Sequence, residues 1–167
     1  MSAARGRRTG GPDRTRYGTG LRKRVVRRLG VADAALAAEA IRRIKETKPD
    51  VAEDVFRRFL SKPENVLIVA EEGGAPAGFL VAYALDRVDR DRRMVCLYEI
   101  GVAAESRRRG IATAMIEALL ASCREQGVMK TWVITDRSNE PAMRLYARTG
   151  GRPDSGEDVV FVWTSGD

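Results

Sequence analysis

Residues 98–113 read YEIGVAAESRRRGIAT, and this stretch decides the fold of the chain. Residues 98–102 have the apolar character of a β-strand, and Ile111 begins an apolar helical pattern that continues to Gln126. Gly110 lets the backbone approach a ligand closely, while a helix N-terminus presents unpaired N–H groups at the positive end of its dipole. The stretch therefore predicts a strand, a loop and a helix that together cradle a pyrophosphate group.

The loop lacks the two phosphate-binding motifs that would be specific on their own. Neither G-x-x-x-x-G-K-[ST] nor G-x-G-x-x-G occurs in it, and its R-x-x-G-x-A pattern matches many sequences by chance. From the residues alone, Arg107 and Arg108 either contact phosphate or stay solvated at an exposed basic helix start. The elements around the loop must decide between these interpretations.

Outward from the loop, the apolar pattern changes between strand alternation and helical spacing. It predicts strands at 21–29, 66–70, 77–85, 94–103, 131–135 and 159–163, and helices at 33–45, from Pro49 to just before Pro63, at 111–126 and at 139–149. The order β-α-α-β-β-β-α-β-α-β is typical of an α/β layered fold, with a mixed β-sheet and helices on both faces.

Helix ends and one helix face are predicted in more detail. Asp33 and Asn139 are the expected N-caps of two helices, and Gly127 is the expected C-cap of a third. The apolar stripe expected for the second helix comprises Val51, Val55, Phe56, Phe59 and Leu60.

The chain has 167 residues and a net charge of +7, most of which lies at one end. Residues 1–30 hold ten Lys or Arg and one acidic residue, whereas residues 31–167 hold 20 basic and 22 acidic residues. Residues 1–20 also lack apolar periodicity, so we expect a disordered basic tail before a single domain at 21–167. Nucleic-acid contact is the functional alternative for the tail. No aromatic platform or nucleic-acid-binding motif accompanies the charge, so we expect no nucleic-acid partner.

The residue inventory excludes several kinds of catalysis. The chain has no histidine, which rules out Ser-His-Asp and Cys-His triads and removes the commonest zinc ligand, so we expect no metal site. Cys96 and Cys123 lack metal-ligand spacing, and we expect both to be small core residues. Carboxylates, Tyr, Lys, Cys or water must therefore perform any acid–base step. No apolar run reaches the roughly 18 residues of a membrane span and no secretory signal is apparent, so we expect a cytoplasmic protein without membrane contact.

Two segments resemble the motifs of the GNAT acetyltransferases, in the right order and on the right elements. Arg107, Gly110 and Ala112 occupy the fixed positions of that family's motif A, [Q/R]-x-x-G-x-[G/A], between a strand and a helix. Residues 139–150, NEPAMRLYARTG, resemble its motif B, N-x-x-A-x-x-L-Y-x-x-x-G. The resemblance covers residues 21–163 and implies a GNAT-type mixed sheet and the use of acetyl-CoA.

Within that family the chain looks most like the gentamicin-type aminoglycoside 3-N-acetyltransferases. Their strand usually reads Y-D-L-A-V, their loop R-R-Q-G-I-A-T-A and their later segment D-D-P-A-x-x-L-Y. In this chain Glu99 replaces Asp, Arg109 replaces Gln, and Asn139-Glu140 replaces Asp-Asp. The resemblance implies acetylation of the 3-amino group of an aminoglycoside, an activity that confers antibiotic resistance.

The resemblance also implies where the cofactor binds. Acetyl-CoA would lie in a splay between the strand that ends at Val102 and the strand at 132–135. Backbone N–H groups of residues 109–113 would hold the pyrophosphate, and the backbone at Ile100 and Val102 would bind the pantetheine and stabilise an oxyanion, where each preorganised donor contributes roughly 3–4 kcal/mol. The implied cofactor-binding residues are Ile100, Val102, Arg107, Arg108, Arg109, Gly110, Ile111, Ala112, Thr113 and Asn139.

Two residues are candidate catalytic groups. Amines are mostly protonated at neutral pH, so transfer needs a base, and Glu99 lies at the matching position just before the splay. Glutamate is unfavoured in strands, and the alternative is an ordinary outward-facing strand residue. The resemblance makes Tyr146 the proton donor to the thiolate product, and the alternative is an amphipathic core tyrosine. Asn139 either contacts the cofactor or only caps its helix.

A small polycationic acceptor needs carboxylates around it, and an acidic rim beside a basic cofactor slot is electrostatically favourable. The candidate substrate-binding residues are Tyr98, Asp136, Glu140, Glu157 and Asp158. The alternative for the acidic residues is a solvated face. A protein N-terminus, a polyamine or another small amine stays open as the acceptor because the GNAT motifs are common to all of these enzymes. A basic nucleic-acid-binding module is a further alternative, and a homodimer is possible.

Overall fold

The computed structural model describes residues 23–47 and 50–154. The predicted tail, the predicted strand at 159–163, and Glu157 and Asp158 lie outside the described residues. The elements in chain order are β1 (Arg24–Arg28), α1 (Ala34–Ile44), α2 (Glu53–Leu60), β2 (Asn65–Glu72), β3 (Ala75–Asp86), β4 (Arg93–Val102), α3 (Ile111–Glu125), β5 (Lys130–Trp132) and α4 (Glu140–Arg148).

The described strands form one mixed sheet in the order β1-β2-β3-β4-β5. Neighbours from β1 to β4 are antiparallel, and β4 and β5 are parallel. A parallel pair needs a crossover connection, and α3 provides it. The predicted α/β layered fold with a mixed sheet is confirmed.

Helices cover both faces of the sheet, as the sequence predicts. The α1 face is covered by α1 and α2, where Leu67, Val69 and Phe79 are buried. The α3 face is covered by α3, with α4 packed against its core, and there Ile68 and Leu80 are buried. Alternate residues of the same strand thus belong to different cores, which is the period of two expected for a sheet buried on both sides.

A glycine in β3 sets the distance between α3 and the sheet. A Cβ atom at Gly78 would lie 2.8 Å from both Ile111 Cγ2 and Met115 Cε, and 3.2 Å from the Gly101 carbonyl oxygen. Ile111 and Met115 are 1% and 0% exposed. The absence of a side chain at Gly78 therefore allows the first turns of α3 to pack directly on the sheet.

The three predicted cap residues lie at the expected helix ends, and one of them makes other bonds than expected. Asn139 Oδ1 accepts the Ala142 N–H at 3.2 Å, so Asn139 caps α4. Gly127 follows α3 with φ +64°, as a C-terminal glycine does. Asp33 occupies the N-cap position of α1, as predicted, but its side chain makes no cap hydrogen bond to that helix. Its carboxylate accepts the Gly30 N–H and an Arg27 N–H, both at 2.9 Å, and these two bonds lower the pKa of Asp33.

The predicted start and stripe of the second helix need correction. α2 begins at Glu53, because Ala52 is extended (φ −61°, ψ 146°). Two acidic residues then occupy the first turn, where the helix dipole favours them. Phe56 is 9% exposed whereas Val55 is 37% exposed, so Val55 does not belong to the buried stripe.

The two cysteines differ in burial. Cys123 is buried on α3, as predicted for a core residue. Cys96 is only half-buried on β4, so the core assignment is incomplete for this residue.

We predict that Gly78→Val destabilises the protein by about 1–3 kcal/mol, because overpacking forces side chains out of their rotamers or shifts the helix. Gly30→Val is the matched control, since its extended backbone (φ −114°) accepts a β-branched residue and only Asp33 Oδ2, at 4.0 Å, lies near the new Cβ. Urea unfolding of both variants measures the difference. Equal stability of the two variants would contradict the close packing of α3.

Candidate active site

The sheet opens between β4 and β5. The two strands pair only over Met94–Cys96 and Lys130–Trp132, whereas β4 continues to Val102 and β5 ends. The predicted strand at 131–135 is thus too long at its end, because residues 133–135 are not in a strand. Beyond Cys96, the edge of β4 opposite β3 has no neighbouring strand among the described residues. The splay expected between the end of β4 and residues 132–135 is therefore present.

A β-bulge in β4 lies at the start of this opening. Val81 of β3 pairs with Glu99 and the next residue, Ala82, pairs with Leu97. Tyr98 is therefore an extra residue, which is the defining property of a bulge. A bulge bends its strand and redirects the side chains that follow it.

The bulge determines which side of the sheet Glu99 faces. Before it, Val95 and Leu97 lie in the core of the α3 face. After it, Ile100 and Val102 pack against that same core. A regular strand would have placed Glu99 there, and the shift turns its carboxylate to the α1 face instead.

The loop between β4 and α3 leaves backbone donors free at the start of the helix. Arg108 has φ +59° and Gly110 has φ +78°, both in the left-handed region. Gly110 is the N-cap of α3 and no side chain caps this helix end. The first helical hydrogen bond runs from the Ala114 N–H to the Gly110 carbonyl at 3.0 Å, so the preceding N–H groups of the first turn have no acceptor within the helix.

These features fit a pyrophosphate. The helix end supplies unpaired N–H groups and a positive dipole, and Gly110 leaves the approach open, because only Arg24 Nη1 lies within 4 Å of a Cβ built there, at 3.8 Å. Ile111, the first residue of α3, is buried and fixes the position of the turn. The geometry of residues 110–113 is thus compatible with phosphate binding, and their contact with a nucleotide cofactor stays a prediction.

The arginines of the loop differ in their contacts. Arg107 Nε donates to the Val102 carbonyl at 3.2 Å, and Arg109 Nη2 lies 3.0 Å from Glu72 Oε2 in an ion pair. Arg108 is exposed. Arg107 and Arg109 therefore have protein partners that sequence reasoning did not anticipate, and their predicted contact with phosphate stays a prediction.

Glu99 forms an ion pair with a lysine that sequence reasoning missed. Its Oε1 and Oε2 lie 3.0 Å and 3.1 Å from Lys45 Nζ, and both side chains are 34% exposed. Lys45 is the C-cap of α1, where a basic residue is ordinary, so its sequence position gives no signal of a role at the site. The pair holds the Glu99 side chain in place and leaves it partly open to solvent.

An aromatic cluster adjoins Glu99 on the α1 face. Tyr98 is 67% exposed, and its ring meets Tyr83 edge-on, with centroids 5.5 Å apart. Tyr83 in turn meets Phe59 of α2, with centroids 6.0 Å apart. Burial, followed by the Tyr98 and Glu99 charges, raises the pKa of Tyr83. Tyr98 is a predicted substrate-binding residue and Phe59 a predicted member of the α2 stripe, whereas nothing in the sequence distinguishes Tyr83 from a core aromatic.

Tyr146 lies on the other face. It is half-buried on α4 and packs against the core of the α3 face. Burial raises the pKa of its hydroxyl above the ordinary value of 10.0. The hydroxyl therefore stays protonated at neutral and moderately alkaline pH, which is the state that a proton donor needs.

The two described acidic candidates are exposed and bonded to near neighbours. Asp136 accepts the Ser138 N–H at 2.8 Å and its hydroxyl at 2.7 Å, and these bonds lower the pKa of Asp136. Glu140 pairs with Arg144 at 2.8 Å along α4. The acidic rim around the acceptor thus stays a prediction, since Asp136 and Glu140 have local partners.

Two further properties concern only the residues that the structure describes. Residues 23–47 and 50–154 contain no group of three or more Cys, Asp or Glu side chains arranged to hold a metal ion. No helix in these ranges is long and apolar enough to cross a membrane.

Comparison with known proteins connects this geometry to one family. The family model described as "Acetyltransferase (GNAT) family" matches residues 27–151. Rat N-acetyltransferase 8 (Rattus norvegicus) is 28% identical over 111 residues, which are 66% of this chain and 50% of the relative. The chain thus spans about half the length of the curated relatives that it matches first.

Solved structures of acetyltransferases have the same fold as this chain. An aminoglycoside acetyltransferase from an uncultured soil metagenomic sample is 28% identical, with a TM-score of 0.72 over 84% of this chain and 99% of its own. The aminoglycoside N-acetyltransferase AAC(6')-Iy, solved in complex with CoA, superposes with a TM-score of 0.70 at 20% identity, over 86% of this chain and 95% of its own. GNAT acetyltransferases use acetyl-CoA as the acetyl donor. This chain belongs to the GNAT acetyltransferase family.

Proposed function

We propose that this protein transfers the acetyl group of acetyl-CoA to a primary amine, and that the acceptor is an aminoglycoside, acetylated at its 3-amino group. The observation that carries the proposal is the position of Glu99. This carboxylate directly follows the bulge where β4 leaves β5, so the proposed base and the opening meet at one point of the strand.

Acetyl-CoA supplies an acetyl thioester, and the residues of the opening hold it. N–H groups of residues 109–113 bind the pyrophosphate, as the unpaired donors of the helix end allow. The edge of β4 at Ile100 and Val102, which pairs with no strand among the described residues, offers its backbone to the pantetheine, and only the Val102 carbonyl there accepts a bond from Arg107 Nε. A backbone N–H there, aimed at the developing oxyanion, lowers the barrier because it needs no reorganisation during the reaction.

Glu99 acts as the base for the amine. Its carboxylate accepts a proton from the arriving ammonium, directly or through one water molecule. The ion pair with Lys45 keeps the carboxylate oriented until the acceptor binds. An ammonium group of the acceptor then replaces the Lys45 ammonium, because the two cations compete for the same oxygens.

Tyr146 supplies the proton that the reaction releases to sulfur. The leaving thiolate needs a donor, and a half-buried tyrosine whose pKa is raised keeps its proton until one is needed. Glu99 and Tyr146 lie on opposite faces of the sheet. The reaction centre would lie between them in the opening, so the base and the acid act from opposite sides.

An aminoglycoside acceptor is supported by the surface beside Glu99. The exposed ring of Tyr98, backed by Tyr83, provides a flat face for a sugar ring and for cation–π contact with its ammonium groups. The 28% identical neighbour is itself an aminoglycoside acetyltransferase. The 3-amino position rests on the resemblance of residues 98–102 and 107–114 to the gentamicin-type enzymes.

Lys45 favours a second candidate acceptor. The Lys45 ammonium lies beside the proposed base and can bind a carboxylate through a charge-assisted hydrogen bond. It therefore suits an acceptor that carries both an amine and a carboxylate, such as a short peptide. That alternative keeps the cofactor site and the roles of Glu99 and Tyr146, and changes only the acceptor.

The acceptor is tested with a thiol-release assay that uses acetyl-CoA and a panel of gentamicin, sisomicin, kanamycin, spermidine and a short peptide, each at about 0.1–1 mM, where many enzymes have their KM. We expect release with gentamicin and sisomicin and none with spermidine or peptide. NMR of the product locates the acetyl group. Release with the peptide alone would exclude the aminoglycoside and support the second candidate.

For the base, we predict that Glu99→Gln lowers kcat by about 100-fold or more, since general-base catalysis contributes about that much, and leaves the Kd of acetyl-CoA unchanged. Glu53→Gln is the matched control, because Glu53 also pairs with a basic residue, Arg57, but lies on α2. Steady-state kinetics and calorimetry give the two quantities. An unchanged kcat in Glu99→Gln would exclude Glu99 as the base.

For the acid, we predict that Tyr146→Phe lowers kcat by about 100-fold while the KM of the acceptor changes little. Because burial raises the pKa of Tyr146, its donor form persists up to and beyond the ordinary value of 10.0. Wild-type kcat should therefore show no decline caused by Tyr146 between pH 7 and about pH 9.5. Equal kcat values of the variant and the wild type would remove Tyr146 from the mechanism.

A further inference from the structure

A buried carboxylate lies behind the cofactor loop. Glu72 ends β2, and its side chain is 5% exposed. Arg24 of β1 and Arg109 of the loop flank it, with Arg24 Nη2 at 2.8 Å from Oε1 and Arg109 Nη2 at 3.0 Å from Oε2. Three distant segments of the chain thus meet at one carboxylate.

Arg24 makes the best-aligned bonds of this cluster. It pairs with Glu72 in the register of β1 and β2, and its Nε and Nη2 donate to Glu72 Oε1 at 3.1 Å and 2.8 Å. The same Nη2 donates to the Arg109 carbonyl at 2.8 Å. Oε2, in contrast, accepts no aligned hydrogen bond among the described residues, so Arg109 contributes an ion pair alone.

The hydrogen bond from Arg24 to the Arg109 carbonyl fixes the direction of the Gly110 N–H. A peptide unit is planar and trans, so a carbonyl that points to Arg24 makes the Gly110 N–H point the opposite way. Gly110, with φ +78°, has the conformational freedom to let this peptide rotate. Rotation would replace an N–H by a carbonyl oxygen at the helix end, which repels an anion.

We propose that Glu72 and Arg24 are positioning residues for the pyrophosphate. Glu72 orients Arg24, and Arg24 holds the Arg109–Gly110 peptide so that its N–H faces the diphosphate of CoA. Arg109 is anchored to the same carboxylate. The inference rests on the proposed cofactor site but not on the identity of the acceptor.

A role through charge alone makes the opposite prediction. Two arginines surround one carboxylate, and replacing Glu72 by a neutral residue raises the positive charge next to an anionic ligand. If charge were the only effect, CoA would bind more tightly. Positioning predicts weaker binding, so the sign of the change distinguishes the two roles.

The test uses Glu72→Gln and Arg24→Lys, with Glu71→Gln as the matched control. Glu71 is the adjacent residue of β2 and lies 3.7 Å from Arg27 in an ion pair that does not involve the loop. Calorimetry measures the Kd of CoA and of pantetheine, which lacks the phosphates. Kinetics measure kcat and the KM of acetyl-CoA.

We expect Glu72→Gln to weaken CoA about tenfold, which equals 1.4 kcal/mol, and to leave the Kd of pantetheine and kcat unchanged. Arg24→Lys keeps the charge but loses the fork that bridges Glu72 and the carbonyl, so it should weaken CoA by a similar factor. Arg24 is 32% exposed, so this variant tests the proposal even if Glu72→Gln fails to fold. Glu71→Gln should bind CoA as the wild type does.

CoA binding as tight as in the wild type, or tighter, in Glu72→Gln or Arg24→Lys would overturn the proposal. An equal loss for CoA and pantetheine would also overturn it, because that result indicates general structural damage. No CoA binding by the wild type would overturn the proposed function itself, and with it this inference. Failure of the proposed function is therefore distinguishable from failure of the inference alone.

Discussion

Tyr98 is an extra residue of β4 relative to β3, and it divides the strand into two parts. Side chains alternate between the two faces of the sheet in each part, and the alternation shifts by one position at this bulge. The first half of β4 pairs with β5, and the second half leaves β5. At this change Glu99 turns towards α1 while Ile100 and Val102 stay on the α3 core. The same distortion thus lies at the start of the proposed cofactor cleft and places the candidate base beside it.

The two faces of the sheet divide the proposed chemistry. Acceptor-side features lie on the α1 face, where Tyr98 and Tyr83 adjoin Glu99. The α3 face holds the helix end and Tyr146. This division needs a sheet that is buried on both sides. On the α3 face, the close packing of Ile111 and Met115 against Gly78 provides that burial.

Much of the fold could be predicted from the sequence, because residues 66–70, 77–85 and 94–103 are apolar runs of strand length, separated by a turn and a charged connection, and α3 keeps a helical period. The motif residues around Gly110 could also be located, since a glycine before an apolar helix has a local signature. What could not be predicted comes from contacts between distant segments. The pairs of Lys45 with Glu99 and of Arg24 with Glu72 join residues 54 and 48 positions apart. The sequence also predicts too long a β5 for a related reason. Residues 133–135 keep an apolar pattern, but β4 no longer pairs with them.

The partner of the Arg109 carbonyl lies 85 positions earlier in the chain. Transplanting residues 103–113 into another scaffold would therefore carry over the motif without the residue that orders it. Engineering of the cofactor preference of such an enzyme should thus include the outer strand β1 together with the loop.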